Sequence, residues 1–263
     1  MLIDTHCHVQ MRQFAADRED VIAAAFANGV GRLIVPGTDV ETSRAAIELA
    51  QQHAGRIFTG VGTHPHDAST LTSRALAEQR TLAQHPSIVA IGEIGLDFYR
   101  DLSPREAQRD ALVAQLTLAR ELDLPVILHN RESHEEMISL LRAHAVGVRG
   151  VFHCFIGDRA MATDALDLGF YLSFAGPLTY PRNDELRDVA AWAPADRILV
   201  ETDSPYLSPQ PLRGKRNEPQ HVALVARMLA QARGISEEEV ATLTTHNAAA
   251  LFRLPEPTLE TGV

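Results

Sequence analysis

The sequence predicts a (β/α)8 TIM barrel with a metal site at the C-terminal ends of its strands. Three observations predict it. Eight short apolar runs recur along the 263 residues. Polar–apolar stretches of helical period lie between them, so strands alternate with helices and run parallel. Histidines and acids gather at the ends of those runs, where a barrel builds its active site. Eight units in about 250 residues fit a closed barrel. An open doubly wound sheet is the main competitor.

The expected strands are, in order, "LIDTH" (2–6), "RLIVPG" (32–37), "IFTGVG" (57–62), "IVAIGE" (88–93), "PVILH" (125–129), "GVFHC" (150–154), "FYLSF" (170–174) and "ILVET" (198–202). Helical period is clear in "PREAQRDALVAQLTLAREL" (104–122), with Pro104 at the first helical position, where its missing N–H costs least. Ser or Thr followed three residues later by Glu marks helix starts at Thr38/Glu41, Ser103/Glu106, Ser133/Glu136 and Ser236/Glu239. After the eighth strand, "NEPQHVALVARMLAQARG" and "SEEEVATLTTHNAAALF" read as helices that close the domain. One domain is expected over residues 1–254, followed by a mobile tail at 255–263.

Composition excludes several classes. Hydrophobic residues make up 45%, enough for a sizeable core. No apolar run reaches the roughly 18 residues that a membrane span needs. The N-terminus lacks a basic region followed by a long apolar one, so a soluble, cytoplasmic protein is expected; separately, no obligate protein partner is expected. Cys7 and Cys154 make no disulfide framework. Each follows a histidine and points to the other face of its strand, so both are expected as buried packing residues. The net charge of −10 argues against a basic nucleic-acid coat. One basic cluster, "LRGKR" (212–216), stands out.

The candidate ligands are His6 and His8 after strand one, Glu93 after strand four, His129 after five, His153 after six and Asp203 after eight. A strand has period two, so His6 and His8 share a face. Imidazole nitrogens with carboxylate oxygens suit zinc, manganese, cobalt or nickel, and magnesium less readily. Four histidines and two carboxylates exceed the needs of one catalytic ion and suit two divalent cations bridged by a carboxylate. In "THPHD" the proline breaks strand geometry. His64 is expected near the substrate, and His66 is expected to stabilise the turn. Asp4 and Glu201, on the faces of His6 and Asp203, should lie one layer lower. At least one should orient a ligand histidine or pair with a buried cation.

Together "DTHCH", "GTHPHD", "AIGEIGLDFYR", "PVILHNRES", "FHCFIG", "YLSFAGPLTY", "VETDSPYLSP" and "RGKRNEP" resemble the TatD family of metal-dependent hydrolases, in the amidohydrolase superfamily. The resemblance runs from residue 3 to about 252. It implies a TIM barrel with one ion held by His6, His8, Glu93 and Asp203 and another by Glu93, His129 and His153. His64 would meet the substrate phosphate. Family members are described as deoxyribonucleases, often with 3′-to-5′ exonuclease activity. The chain departs from many relatives at Asn130 and at Pro181–Arg182, and the latter alters the loop after strand seven.

The expected reaction is hydrolysis of DNA phosphodiesters, at single-stranded ends, by a water that the metals activate. Asp203 is the expected proton acceptor, with Glu93 as the bridging catalytic carboxylate. Arg131, Arg213, Lys215 and Arg216 are candidates for gripping phosphate. For Arg131 the alternative is a salt bridge to the next helix, and for the cluster a solvated loop. Phe98, Tyr99 and Tyr206 are candidate stacking residues, with ordinary loop packing as the alternative. A metal-dependent esterase or amidase, including an aminoacyl-ester deacylase, shares the fold and the ions and is the rival reading. A non-enzymatic scaffold has no use for six ligands around one mouth.

Overall fold

The computed structural model describes residues 1–255; the C-terminal tail expected to be mobile lies, apart from Pro255, outside them. Eight parallel strands form one sheet in sequence order, β1 to β8. They are β1 (Leu2–Asp4), β2 (Val30–Pro36), β3 (Ile57–Val61), β4 (Ile88–Asp97), β5 (Val126–Arg131), β6 (Gly150–Phe152), β7 (Tyr171–Phe174) and β8 (Ile198–Val200). The Thr5 N–H donates to the Val200 carbonyl, and Cys7 bridges Ser204 in parallel, so β8 returns to β1 and the barrel closes. Helices α1 (Arg18–Ala27), α2 (Val40–Gln52), α3 (Ser73–Leu82), α4 (Arg105–Leu122), α5 (His134–His144), α6 (Arg159–Asp167), α7 (Asp184–Trp192) and α8 (Val222–Arg233) alternate with the strands. Helix α9 (Glu237–Phe252) follows them.

The core has two layers, set by strand alternation. Inside the barrel, Ile3, Ile34, Phe58, Val89, Ile127, Val151 and Leu199 meet one another and Leu251 and Phe252 of α9. Alpha9 therefore fills the barrel end remote from the histidines, and Asn247 fastens it by donating to the carbonyls of Ala195 and Ile198. Outside, residues such as Leu33, Leu128 and Leu172 pack under the helix ring.

Several local expectations change. Beta1 and β8 end at Asp4 and Val200, earlier than predicted, so His6, His8, Glu201 and Asp203 lie beyond the ladder. Beta4 instead runs on past Glu93 to Asp97. The box at Ser236/Glu239 forms as expected. At α2 the box belongs to Asp39 and Thr42, not Thr38 and Glu41. Ser103 is drawn away from capping, because its hydroxyl donates to the His66 carbonyl, and Pro104 is the N-cap rather than the first helical residue. Ser133 likewise caps no N–H; its hydroxyl lies 3.1 Å from the Leu96 carbonyl and 2.7 Å from Asn130 Oδ1. Tertiary partners take both hydroxyls from the helix ends: Ser103 also accepts from the Ser69 N–H, and Ser133 reaches the Leu96 carbonyl. Cys7 is buried as expected. Cys154 is only half-buried, since a φ of 43° turns it out of the strand alternation.

Candidate metal centre

Glu93 stands at the middle of the barrel mouth, and its two oxygens face different histidines. Oε2 lies 3.3 Å from His6 Nε2 and 3.5 Å from His8 Nε2. Those nitrogens are 3.0 Å apart, and Asp203 Oδ1 lies 3.8 and 3.7 Å from them. Oε1 lies 2.9 Å from both His129 Nδ1 and His153 Nε2, and 3.2 Å from His64 Nε2. All six predicted ligands thus converge, in two sets that share one carboxylate, and His64 joins the second set.

The donor chemistry fits divalent cations. Four donors placed tetrahedrally around an ion with bonds of about 2.0–2.2 Å stand roughly 3.3–3.6 Å from one another. The distances above, 2.9 to 3.8 Å, bracket that value. Converging imidazole nitrogens that mostly lack a donor partner other than each other are what an ion satisfies. Burial, aided by His153, lowers His6 to about 4, and burial lowers His64 to about 4, so both are neutral at pH 7, the form a metal takes. Burial opposes the charge on Glu93, yet His153, His64 and His6 hold its pKa well below the usual carboxylate range. Burial raises Asp203 to about 6, against the pull of His153 and His8. Among the described residues, three overlapping groups could hold an ion: His6–His8–Asp203, His6–Glu93–His153 and His64–Glu93–His129.

Buried carboxylates orient the second set. Glu201 Oε1 sits 3.2 Å from His153 Nδ1 and accepts from the Cys154 N–H. This meets the expectation for one of the two lower acids. Asp4 does neither of the things expected: it accepts from the N–H groups of Thr202 and His6 and contacts the Thr202 hydroxyl at 2.6 Å, tying β1 to β8. Burial pushes its carboxyl well up, so the neutral amide of Asp4→Asn is a close substitute. Asp4→Asn is expected to keep metal content and melting temperature. Asp4→Ala, which leaves Thr202 unpaired, should cost about 1–3 kcal/mol in a denaturant melt.

Asp97 was not singled out from the sequence. Its Oδ2 lies 3.1 Å from His129 Nε2 and 2.9 Å from His66 Nε2, while Oδ1 accepts from the N–H groups of Tyr99 and Arg100. Gln108 of α4 pins it further, accepting from the Asp97 N–H and donating to the Asp97 carbonyl. An Nε2–H held on Asp97 leaves the Nδ1 lone pair of His129 facing Glu93. The signal was present: Asp97 is four residues past Glu93 and shares its face under strand alternation. The apolar run ends at Glu93, and β4 continues past it to Asp97 in the folded barrel. The His66 side chain, expected to stabilise its turn, reaches Asp97 instead, and the turn is tied by the His66 N–H donating to His64 Nδ1. Asp97→Asn and Glu201→Gln are each expected to weaken metal binding about 10–100-fold, read by competition with a chelating indicator.

The rim residues divide. Arg131 lies over the Tyr99 ring at 4.0 Å, and Arg213 over the Tyr180 ring at 4.3 Å. Lys215 is exposed with no carboxylate within 4 Å among the described residues. Arg216 is a correction to the basic cluster. Its guanidinium pairs with both Asp17 and Glu218 and covers Phe14, so it fastens the loop after β8 and is not free for phosphate. Buried Asn217 secures the same loop by donating to the carbonyls of Thr202 and Tyr206. The alternative for Arg131, a salt bridge to the next helix, does not form among the described residues; its guanidinium lies over Tyr99. Phe98 is half-buried under Arg105, whereas Tyr99 and Tyr206 stay exposed.

A family model described as TatD related DNase matches residues 3–253. The chain belongs to the TatD family of metal-dependent hydrolases. A Bacillus subtilis protein named as an uncharacterized metal-dependent hydrolase, YabD, is 42% identical, the match covering 97% of this chain and 100% of that one. An Erwinia amylovora protein named 3′-5′ ssDNA/RNA exonuclease TatD is 40% identical over 96% of this chain and 100% of its own length. The crystal structure of YjjV, a TatD homolog from Escherichia coli, superposes with a TM-score of 0.90 at 33% identity, covering 97% of this chain and 98% of that one. This TatD-family chain has no described helix long and apolar enough to cross a membrane.

Proposed function

We propose that the protein is a two-metal nuclease that hydrolyses phosphodiesters at single-stranded DNA ends, removing nucleotides from the 3′ side. One observation carries the choice of a polyanionic substrate. In a chain of net charge −10, exposed Arg12, Arg100, Arg182, Arg213 and Lys215 stand in the loops after β1, β4, β7 and β8, and exposed Arg131 ends β5. None has a carboxylate within 4 Å among the described residues; on the helices Arg44, Arg80, Arg109, Arg142 and Arg227 are paired, and Arg74, Arg120 and Arg159 are not. Cations left unpaired around a mouth raise the local concentration of phosphate. The name of the Erwinia relative supports the same chemistry and polarity.

Bound divalent ions would supply Lewis acidity and an acidified water. His6, His8, Glu93 and Asp203 would hold one, and Glu93, His129 and His153 the other. His64 Nδ1 accepts from the His66 N–H, so its neutral ring carries the proton on Nε2, which stands where it can donate to a phosphoryl oxygen. Asp203, with its side chain 13% exposed against 4% for Glu93, faces the opening and is placed to take the proton of the attacking water. Arg131, Arg213 and Lys215 would hold neighbouring phosphates.

The deciding test removes metal from purified protein, restores magnesium, manganese or zinc, and offers 3′-labelled and 5′-labelled single-stranded DNA. Glu93→Ala controls for contaminating nuclease. Metal-dependent loss of 3′ nucleotides, absent in the variant, is expected. Protein that binds two ions but leaves DNA intact would move the assignment to the esterase or amidase reading. Lys215 offers a second check, as the chain's single lysine. Acetylation with an amine-reactive ester should lower kcat/KM on DNA, and DNA present during the reaction should protect Lys215 in a peptide map. Equal modification with and without DNA counts against a phosphate contact there.

A further inference from the structure

We propose that a single nucleic-acid strand crosses the barrel mouth between two platforms, each an arginine laid on a tyrosine, so that nucleotides on both sides of the cleaved bond are held. This deepens the nuclease reading and rests on it.

The first platform stands on the loop after β4 and the last residue of β5. The Arg131 guanidinium carbon is 4.0 Å from the Tyr99 ring centroid, and Tyr99 is 54% exposed. The second stands on the loops after β7 and β8, three strands further around the barrel. There Arg213 lies 4.3 Å over Tyr180, whose hydroxyl donates to the Ser208 carbonyl at 3.2 Å. That bond anchors the half-buried ring. A guanidinium flat on a ring keeps its N–H edge for phosphate and its free face for a base.

The donor sets lie between the platforms in the same direction. His129, His153 and His64 are on the β3–β6 side, His6, His8 and Asp203 on the β8–β1 side, and Glu93 joins them. The flank formed by the loops after β2 and β3 is acidic. Asp39 and Asp67 face each other closely enough that Asp39 adds to the effect of burial in raising Asp67. A phosphate backbone is repelled there and drawn to the two cationic sides. Tyr206, 47% exposed and edge-on to His8 with ring centroids 6.5 Å apart, stands beside the scissile position on the same path.

The test measures binding and cleavage in one sample. Fluorescein-labelled oligothymidylates from dinucleotide to octanucleotide are titrated into metal-loaded enzyme at low temperature and several salt concentrations. Anisotropy gives affinity, and gels of the same tubes give cleavage. Affinity should rise from the dinucleotide to the hexanucleotide and then level. Arg131→Gln and Arg213→Gln should each reduce the slope of log affinity against log salt by about 0.7, and the double variant by about twice that. Tyr99→Ala should weaken binding roughly 5- to 150-fold, the range for one stacked base. Arg131→Lys should keep the salt slope and lose affinity, which separates stacking from charge. Asp67→Asn, on the acidic flank, should bind no more weakly than wild type.

A hexanucleotide that binds no tighter than a dinucleotide, or a salt slope that responds to only one arginine, overturns the proposal. Binding with the expected slopes but no cleavage supports the two platforms and overturns the nuclease reading. Cleavage that is indifferent to both arginines does the reverse.

Discussion

Glu93→Gln is expected to empty both donor sets at once and to reduce activity on DNA by well over 100-fold. Loss of a residue that merely orients a ligand costs about 10–100-fold in metal affinity or activity. Glu93 is closer to the chemistry than that, since one oxygen faces His6 and His8 and the other faces His64, His129 and His153. The amide keeps the size of the side chain, loses its charge and presents N–H protons to one of the sets. Two readouts make the expectation checkable without any assay of activity. Elemental analysis should find two ions per wild-type chain and fewer than one in the variant. Metal present at about 100 times its dissociation constant stabilises a fold by roughly 2.7 kcal/mol. In a domain of this size that is a rise in melting temperature of about 5–11 °C. The rise should vanish in Glu93→Gln while the metal-free melting temperature stays within a few degrees of wild type. A variant that keeps two ions and the full rise would show that the sets are held independently of Glu93.

Gly95→Ala is expected to do comparable damage with a single methyl group. Gly95 lies between Glu93 and Asp97 on β4 at φ 147°, a backbone conformation that side chains oppose. A Cβ there would overlap the carbonyl oxygen of His129 on β5. That carbonyl belongs to the strand backbone and cannot rotate away, so β4 and β5 must separate where each carries a ligand. Backbone strain and overpacking each cost about 1–3 kcal/mol. Their sum of roughly 2–6 kcal/mol lowers the melting temperature by about 4–24 °C. Unlike Glu93→Gln, this change should appear in the metal-free protein as well. Gly55→Ala provides the comparison: its φ of 79° is also positive, but nothing lies within 4 Å of the added carbon. A Gly95→Ala melt no worse than that of Gly55→Ala would mean that contact with β5 is not the constraint.

The residues differ in how far the chain alone revealed them. His6, His8, Glu93, His129, His153 and Asp203 were legible because each sits at or just past the end of an apolar run, and barrel topology brings all such ends to one face. Glu201 followed from alternation with Asp203. Asp97 escaped because β4, after its register with β5 shifts between Ile91 and Ile94, goes on pairing as far as Asp97 with Arg131, several residues beyond its apolar run. Asp4 was placed correctly in depth but not in partner, since Thr202 comes from a strand end 198 residues away. The serine caps failed for a related reason. Ser103 and Ser133 have the right local spacing, but acceptors on His66 and Leu96 arrive only with the folded chain.

By itself the sequence determined the class of fold, the order of its eight strands and the donors at their ends, because periodicity and strand alternation are local properties of a chain. Only the tertiary structure decided how those donors divide on the two oxygens of Glu93, which acids back which histidines, and that Arg216 is spent on Asp17 while Arg131 and Arg213 stand free on tyrosine rings. These outcomes depend on distances of a few ångströms between residues that are far apart in the chain, and no local pattern encodes them. An ion pair forms or fails according to which neighbour the closed barrel brings within reach.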